Sequence, residues 1–145
     1  MFRDAISKDK ELFLTMAEKF YSSSAVLNCI DIKNFETTFD LAMNKSPFVR
    51  IVIVESENTP IGYAQLSLTY SMEAGGMVVL IEDVYIDEAH RSDGYGSKLL
   101  HFIENQYPTF KRFRLEVMKH NKKAINLFKK IGYTELEYVQ MVKDF

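Results

Sequence analysis

The segment from Val78 to Leu100 constrains this chain more than any other. An apolar run, Val78-Val79-Leu80-Ile81, is followed by the acidic pair Glu82-Asp83 and by Val84-Tyr85-Ile86. A short polar link then leads into Arg91-Ser92-Asp93-Gly94-Tyr95-Gly96-Ser97-Lys98-Leu99-Leu100. The pattern predicts a strand, a glycine-bearing loop and a helix. The first amides of a helix have no internal partner and lie at the positive end of its dipole, and glycine lets the backbone come close to an anion. A phosphate-bearing ligand is therefore the first expectation.

Known phosphate loops can be tested against this order. A P-loop needs Gly-Lys-Ser/Thr at the helix start, and here Ser97 separates Gly96 from Lys98. A dinucleotide fingerprint wants a third glycine where Leu99 stands and glycines directly after the strand, whereas Asp87 to Asp93 intervene. Glu116 alone falls at a suitable distance for a ribose contact.

The remaining sequence predicts the frame around the loop. Phe2 to Ala5 reads as a first strand, and Asp9 to Tyr21 places Phe13, Met16, Ala17 and Phe20 at helical spacing. Ile32, Phe35, Phe39 and Met43 repeat that spacing, with Asp31 as a cap and Pro47 beyond the end. Phe48 to Glu55, the turn Glu57-Asn58-Thr59-Pro60 and Ile61 to Tyr70 form an antiparallel hairpin, and Gly75-Gly76 turns the chain into the strand before the loop. Leu99, Ile103 and Tyr107 give the next helix one apolar face, stopped by Pro108. Phe113 to Val117 follows as a strand, Asn121 to Ile131 as a helix, and Tyr133 to Lys143 as one or two closing strands. The fold class is thus α/β of the mixed α+β kind. Its central sheet is antiparallel early and parallel around the glycine loop, flanked by about four helices.

With 145 residues, 47% of them hydrophobic, the chain can bury one core and is short for two, so a single domain over residues 1–145 is expected. A formal charge of -2 offers no basic excess for nucleic acid or an anionic membrane. The local clusters Lys111-Arg112-Arg114 and Lys119-Lys122-Lys123-Lys129-Lys130 read either as ligand-facing or as solvated surface. The single cysteine, Cys29, excludes an internal disulfide and, without His or Cys neighbours at ligand spacing, argues against a metal site. No apolar targeting core or membrane-spanning run is present, which makes the cytoplasm the expected compartment. His90, His101 and His120 are scattered and read as structural or solvent-facing.

The order Arg-x-x-Gly-x-Gly after a Val-Tyr-Ile strand end resembles the acetyl-CoA signature of the GNAT N-acetyltransferase superfamily. The later segment Asn121-x-x-Ala124-x-x-Leu127-Phe128-x-x-x-Gly132-Tyr133 is similar to that family's second cofactor-binding element. The resemblance implies a single GNAT-like domain that uses acetyl-CoA as co-substrate and no metal. It also implies cofactor contacts from Val84, Tyr85 and Ile86 to the pantetheine arm, and from Arg91, Ser92, Asp93, Gly94, Tyr95, Gly96 and Ser97 to the pyrophosphate. Asn121, Ala124 and Phe128 would flank the cofactor. The implied reaction is direct attack by a primary amine of a small cationic molecule or peptide in a ternary complex; the alternative is a CoA-binding sensor without turnover. A homodimer is left open.

Acetyl transfer to an amine needs a polarised thioester, a base and stabilisation of the departing thiolate. A free backbone N–H near Tyr85 or Ile86 is the expected oxyanion donor. Glu82 and Asp83 are the candidate bases, with Glu82 favoured; regular pleating lets only one of them face the cleft, and a bulge would alter which. One departure stands out. Where many family members carry a tyrosine acid, this chain has Phe128, leaving water or the hydroxyl of Tyr63, Tyr70 or Tyr85 for that role. Glu73, with Tyr21, Tyr63 and Tyr70, is expected to line a cleft suited to a cation.

Overall fold

The computed structural model describes residues 1–145 as five strands and four α-helices in the order β1 (Phe2–Asp4), α1 (Lys10–Tyr21), α2 (Ile32–Met43), β2 (Val49–Ser56), β3 (Thr59–Ser71), β4 (Gly76–Ile86), α3 (Tyr95–Gln106), β5 (Arg112–Leu115) and α4 (Lys122–Lys130). Short 3₁₀ turns precede α1 and α3. The strands form one sheet in sequence order, antiparallel from β1 through β4, with β5 joined parallel to β4. This matches the mixed sheet expected from the sequence. The parallel step falls where the glycine loop and α3 supply the crossover.

Local chemistry explains the boundaries. Asp31 caps α2 by accepting the Lys33 N–H at 2.9 Å, and Asn121 caps α4 by accepting from Ala124 at 3.2 Å. Glu57 and Asn58, with φ of 50° and 62°, make the tight hairpin between β2 and β3. Gly62 is dictated by the pairing of β3 with β4: a Cβ there would lie 2.3 Å from the Tyr85 carbonyl oxygen.

The sheet separates two apolar clusters. On one face Ile51, Ile53, Tyr63 and Tyr85 pack against Phe13, Met16 and Ala17 of α1 and Phe35 and Phe39 of α2. On the other, Val52, Val54, Ala64, Leu66, Val79 and Ile81 pack against Leu99, Leu100 and Ile103 of α3. Phe113, Leu115, Phe128 and Ile131 join this second cluster from β5 and α4. No helix is long and apolar enough to cross a membrane.

The closing strands expected over Tyr133 to Lys143 do not form; no strand follows α4. Residues 134–145 are exposed, and the side chains of Tyr138, Val139, Met141 and Val142 lie in solvent. Their polar–apolar alternation is a strand signal, but alternation supplies only side-chain faces. A strand also needs a neighbouring backbone, and β5 pairs with β4 alone. The expected strand at Phe113 to Val117 is likewise shorter, ending at Leu115.

Candidate active site

The site begins where β4 leaves β5. The parallel ladder runs from Val78↔Arg112 to Ile81↔Leu115 and stops. From Asp83 to Ile86, β4 stays paired with β3 but has no strand on its other side. Asp87 donates its N–H to the Ile61 carbonyl at 2.7 Å. Amides two residues apart on a strand point the same way. The Tyr85 amide therefore faces β3, and those of Val84 and Ile86 face the open edge. Of Tyr85 and Ile86, only Ile86 has its amide on the open edge. Arg91 covers the adjacent carbonyl, its Nε donating to the oxygen of Ile86 at 2.9 Å.

The glycine loop stands at the end of this edge. Ser92 and Gly94 both adopt left-handed backbone, φ 79° and 80°, and Gly94 is the N-cap of α3. The first internal bond at this end of α3 is Lys98 N–H to the Gly94 carbonyl, 3.1 Å, so the Tyr95, Gly96 and Ser97 amides precede the helical ladder. A Cβ on Gly96 would meet Leu127 of α4 at 3.4 Å, so this glycine lets the two helices close together. Lys123 of α4 donates to the Ser92 hydroxyl at 2.9 Å, tying the second cofactor-like element to the loop. The sequence had marked this lysine only as part of a basic cluster. Free amides at a helix N-terminus, backbone opened by Gly94 and an adjacent lysine fit a diphosphate.

The two carboxylates are arranged by a β-bulge. Gln65 pairs with Asp83 and Leu66 with Ile81, so Glu82 is the extra residue. Before the bulge, Val79 and Ile81 face α3; after it, Asp83 and Tyr85 face α1 and α2. The phase change sends Glu82 and Asp83 to the same side of the sheet, an arrangement that regular pleating forbids. Their environments differ. Glu82 is exposed, whereas Asp83 is only 7% exposed and accepts hydrogen bonds from the Tyr21 hydroxyl at 2.9 Å and the Tyr63 hydroxyl at 3.2 Å. Burial is the largest influence on Asp83 and raises its pKa to about 6; the tyrosine hydrogen bonds work against that rise, and the charge of Glu82 adds to it. Burial and the Asp83 charge push both tyrosines upward, so their hydroxyls stay protonated.

The other expected site residues fall as follows. The Tyr85 ring is buried against Tyr63, and its hydroxyl donates to Asp87 at 2.8 Å; burial, then that bond, lifts its pKa to about 12. Asp93 is exposed in the loop. Asn121 spends its side-chain oxygen on the cap, with Ala124 one turn into α4. Phe128 packs into the α3-side cluster, its ring 6.1 Å from that of Tyr133. Tyr70 and Glu73 do not join Tyr21 and Tyr63: Tyr70 pairs with Met77 at the start of β4, and Glu73 lies in the turn beyond, 3.6 Å from Arg112. They belong to the opposite end of the strand from Asp83, and Tyr70 cannot replace the missing acid. The Tyr63 and Tyr85 hydroxyls are already donating to carboxylates.

The sequence profile of the acetyltransferase (GNAT) family matches residues 14–133, spanning α1 through α4. This chain belongs to the GNAT acetyltransferase family. Thialysine N-epsilon-acetyltransferases of Sus scrofa and Mus musculus are 29% and 30% identical over 102 residues, covering 63% of this chain and 59% of each relative. The matched region thus spans less than two thirds of those proteins. The fold is shared with a solved structure of a possible acetyltransferase from Clostridium difficile 630, with TM-score 0.85 and 16% identity over 100% of this chain and 97% of that one. It is also shared with an aminoglycoside N-acetyltransferase in complex with CoA, with TM-score 0.81 and 13% identity over 99% and 93% of the respective chains.

Proposed function

We propose that this GNAT-family chain is an acetyl-CoA-dependent N-acetyltransferase acting on a primary amine of a small cationic molecule or peptide, by direct attack in a ternary complex. The observation that carries this reading is the parting of β4 from β5 after Ile81, which leaves edge amides exposed between an anion-ready helix terminus and two carboxylates. Acetyl-CoA, when bound, supplies the thioester carbonyl that the amine attacks and the thiolate that leaves. The α3 amides and Lys123 hold its diphosphate, and the β4 edge accepts the pantetheine arm as a partial strand would be accepted. The Ile86 N–H donates to the thioester oxygen as charge develops there. Glu82 or Asp83 takes the proton of the attacking ammonium, directly or through one water. That step is needed because an aliphatic amine of pKa about 10.4 is mostly protonated at neutral pH. A thiol of pKa about 8.5 leaves without a dedicated acid, which makes Phe128 compatible with turnover.

Kinship with thialysine N-epsilon-acetyltransferases supports a small amine as acceptor, and the carboxylates favour a cation. A cytoplasmic setting suits a chain whose one cysteine is free. Purified protein given acetyl-CoA and a panel of diamines, aminoglycosides and lysine-like amines is expected to release free thiol only when an acceptor amine is present. Phe128 favours a second reading, a CoA-binding sensor. Tight CoA binding with no thiol release across the panel would establish that reading and overturn the first.

A further inference from the structure

Asp83 is the one deeply buried carboxylate near the open β4 edge, and no cation pairs with it: its two oxygens receive only hydroxyls. Burial alone would keep such a group protonated and useless as a base at neutral pH. The two donors come from different elements. Tyr63 rises from the centre of β3, its ring edge-on to Phe13 at 4.9 Å and stacked on Tyr85 at 6.0 Å. Tyr21 is the last residue of α1, held between Phe20 and Phe35 at 5.3 and 5.4 Å. We infer that Tyr21 and Tyr63 are positioning residues for the amine-acetylation reaction proposed above: their hydroxyls fix both oxygens of Asp83 and favour its carboxylate form, making Asp83 the proton acceptor.

The chemistry requires hydroxyls at these positions. A protonated Asp83 would have one proton to donate, and the tyrosine on the oxygen that carries it would have to turn to receive it, losing one of the two donated bonds. Phenol groups whose own pKa is pushed upward do not lose their protons to the carboxylate, so the pair acts as two fixed donors. The groups facing Asp83 are Tyr21 from α1, Tyr63 from β3 and the neighbouring Glu82 on β4, whose charge opposes ionisation. From α2 the packed neighbour is Phe35, which carries no charge. Tyr21 also stands at the start of the largely exposed α1–α2 connection.

The test follows the Asp83 carboxyl carbon by carbon-13 NMR through a pH titration, assigned by its absence in Asp83→Asn, alongside the pH profile of thiol release. The unaltered protein is expected to titrate near pH 6. Tyr21→Phe keeps the ring and its packing, and is expected to move both the carboxyl midpoint and the acidic limb of kcat/KM upward by about one pH unit. Activity is expected to fall about fivefold at pH 6 and to recover toward pH 8, a recovery that simple loss of structure would not give. Tyr63→Phe is expected to do the same, and serves if the first variant does not fold. An unmoved carboxyl midpoint in both variants would overturn the inference. Absence of thiol release from the unaltered protein would overturn the proposed activity instead, while the carboxyl titration would still decide the tyrosines' effect.

Discussion

At Asp83 the requirements of folding and of the proposed chemistry oppose each other. Its pKa is raised above the ordinary carboxylate value, chiefly by burial, so the folded state binds a proton that the unfolded chain has already released. Stability therefore falls as pH rises from about 4 to about 6, and the deficit persists above that. Replacing Asp83 by asparagine removes the charge while keeping a group able to meet both tyrosine hydroxyls. Asp83→Asn is expected to gain of the order of 2–3 kcal/mol at pH 7.5 and nothing near pH 3.5, read from urea unfolding midpoints at the two pH values. Its turnover is expected to drop by about 10² to 10⁴-fold. A variant no more stable than the parent at pH 7.5 would mean that the carboxylate is not desolvated. The sequence shows the acidic pair and its strand but not which carboxylate is buried, because a bulge and the burial of one carboxylate beneath two tyrosines are tertiary outcomes. Tyr21 and Asp83 stand 62 positions apart, and no periodicity links them.

At the scale of elements, legibility tracked whether a signal was local. Asp31 before Ile32 and Pro108 after Tyr107 bound their helices as their side chains require. The glycine loop opened α3 where expected because a left-handed N-cap admits few residues other than glycine. The segment after Tyr133 stays outside the sheet although β5 leaves one edge unpaired, because alternation marks side-chain faces and does not supply backbone pairing. The loop also yields a sharp test. Proline locks φ near −65°, whereas residue 94 needs +80°, so Gly94→Pro cannot present the Tyr95 to Ser97 amides together. CoA affinity is expected to fall at least tenfold, measured by calorimetry. The α1-side core, remote from the loop, is expected to hold, leaving most of the folded signal in circular dichroism. Unchanged CoA affinity would remove the helix terminus from the binding site. Gly62→Ala tests a different element pair. The added methyl cannot coexist with the Tyr85 carbonyl 2.3 Å away, so β3 must move from β4. A loss of about 2 kcal/mol or more in urea is expected, with turnover impaired because β4 carries the carboxylates.

For the whole molecule, the amino-terminal strand is secured by charge as well as by pairing. Arg3 of β1 reaches Asp9, before α1, at 2.7 Å and Glu55 of β2 at 2.7 Å, and both carboxylates are largely buried. Composition gave no hint of this triad, since its members are separated by up to 52 positions and each alone reads as surface charge. It joins the sheet edge to the helical layer that carries Tyr21. Burial works against the Asp9 charge, but hydrogen bonds from Arg3 and the Ile6 N–H prevail and keep its pKa below the ordinary value. Asp9 thus contributes stability that is present above about pH 4 and is lost as pH falls through its folded value. Arg3→Met would leave two carboxylates buried without their cation, at a cost of about 3–5 kcal/mol at pH 7. Protonation relieves an unpaired acid, so the difference between Arg3→Met and the parent is expected to shrink when urea midpoints are measured near pH 4. A deficit of equal size at both pH values would mean that Arg3 contributes through packing of its aliphatic stem rather than through its charge.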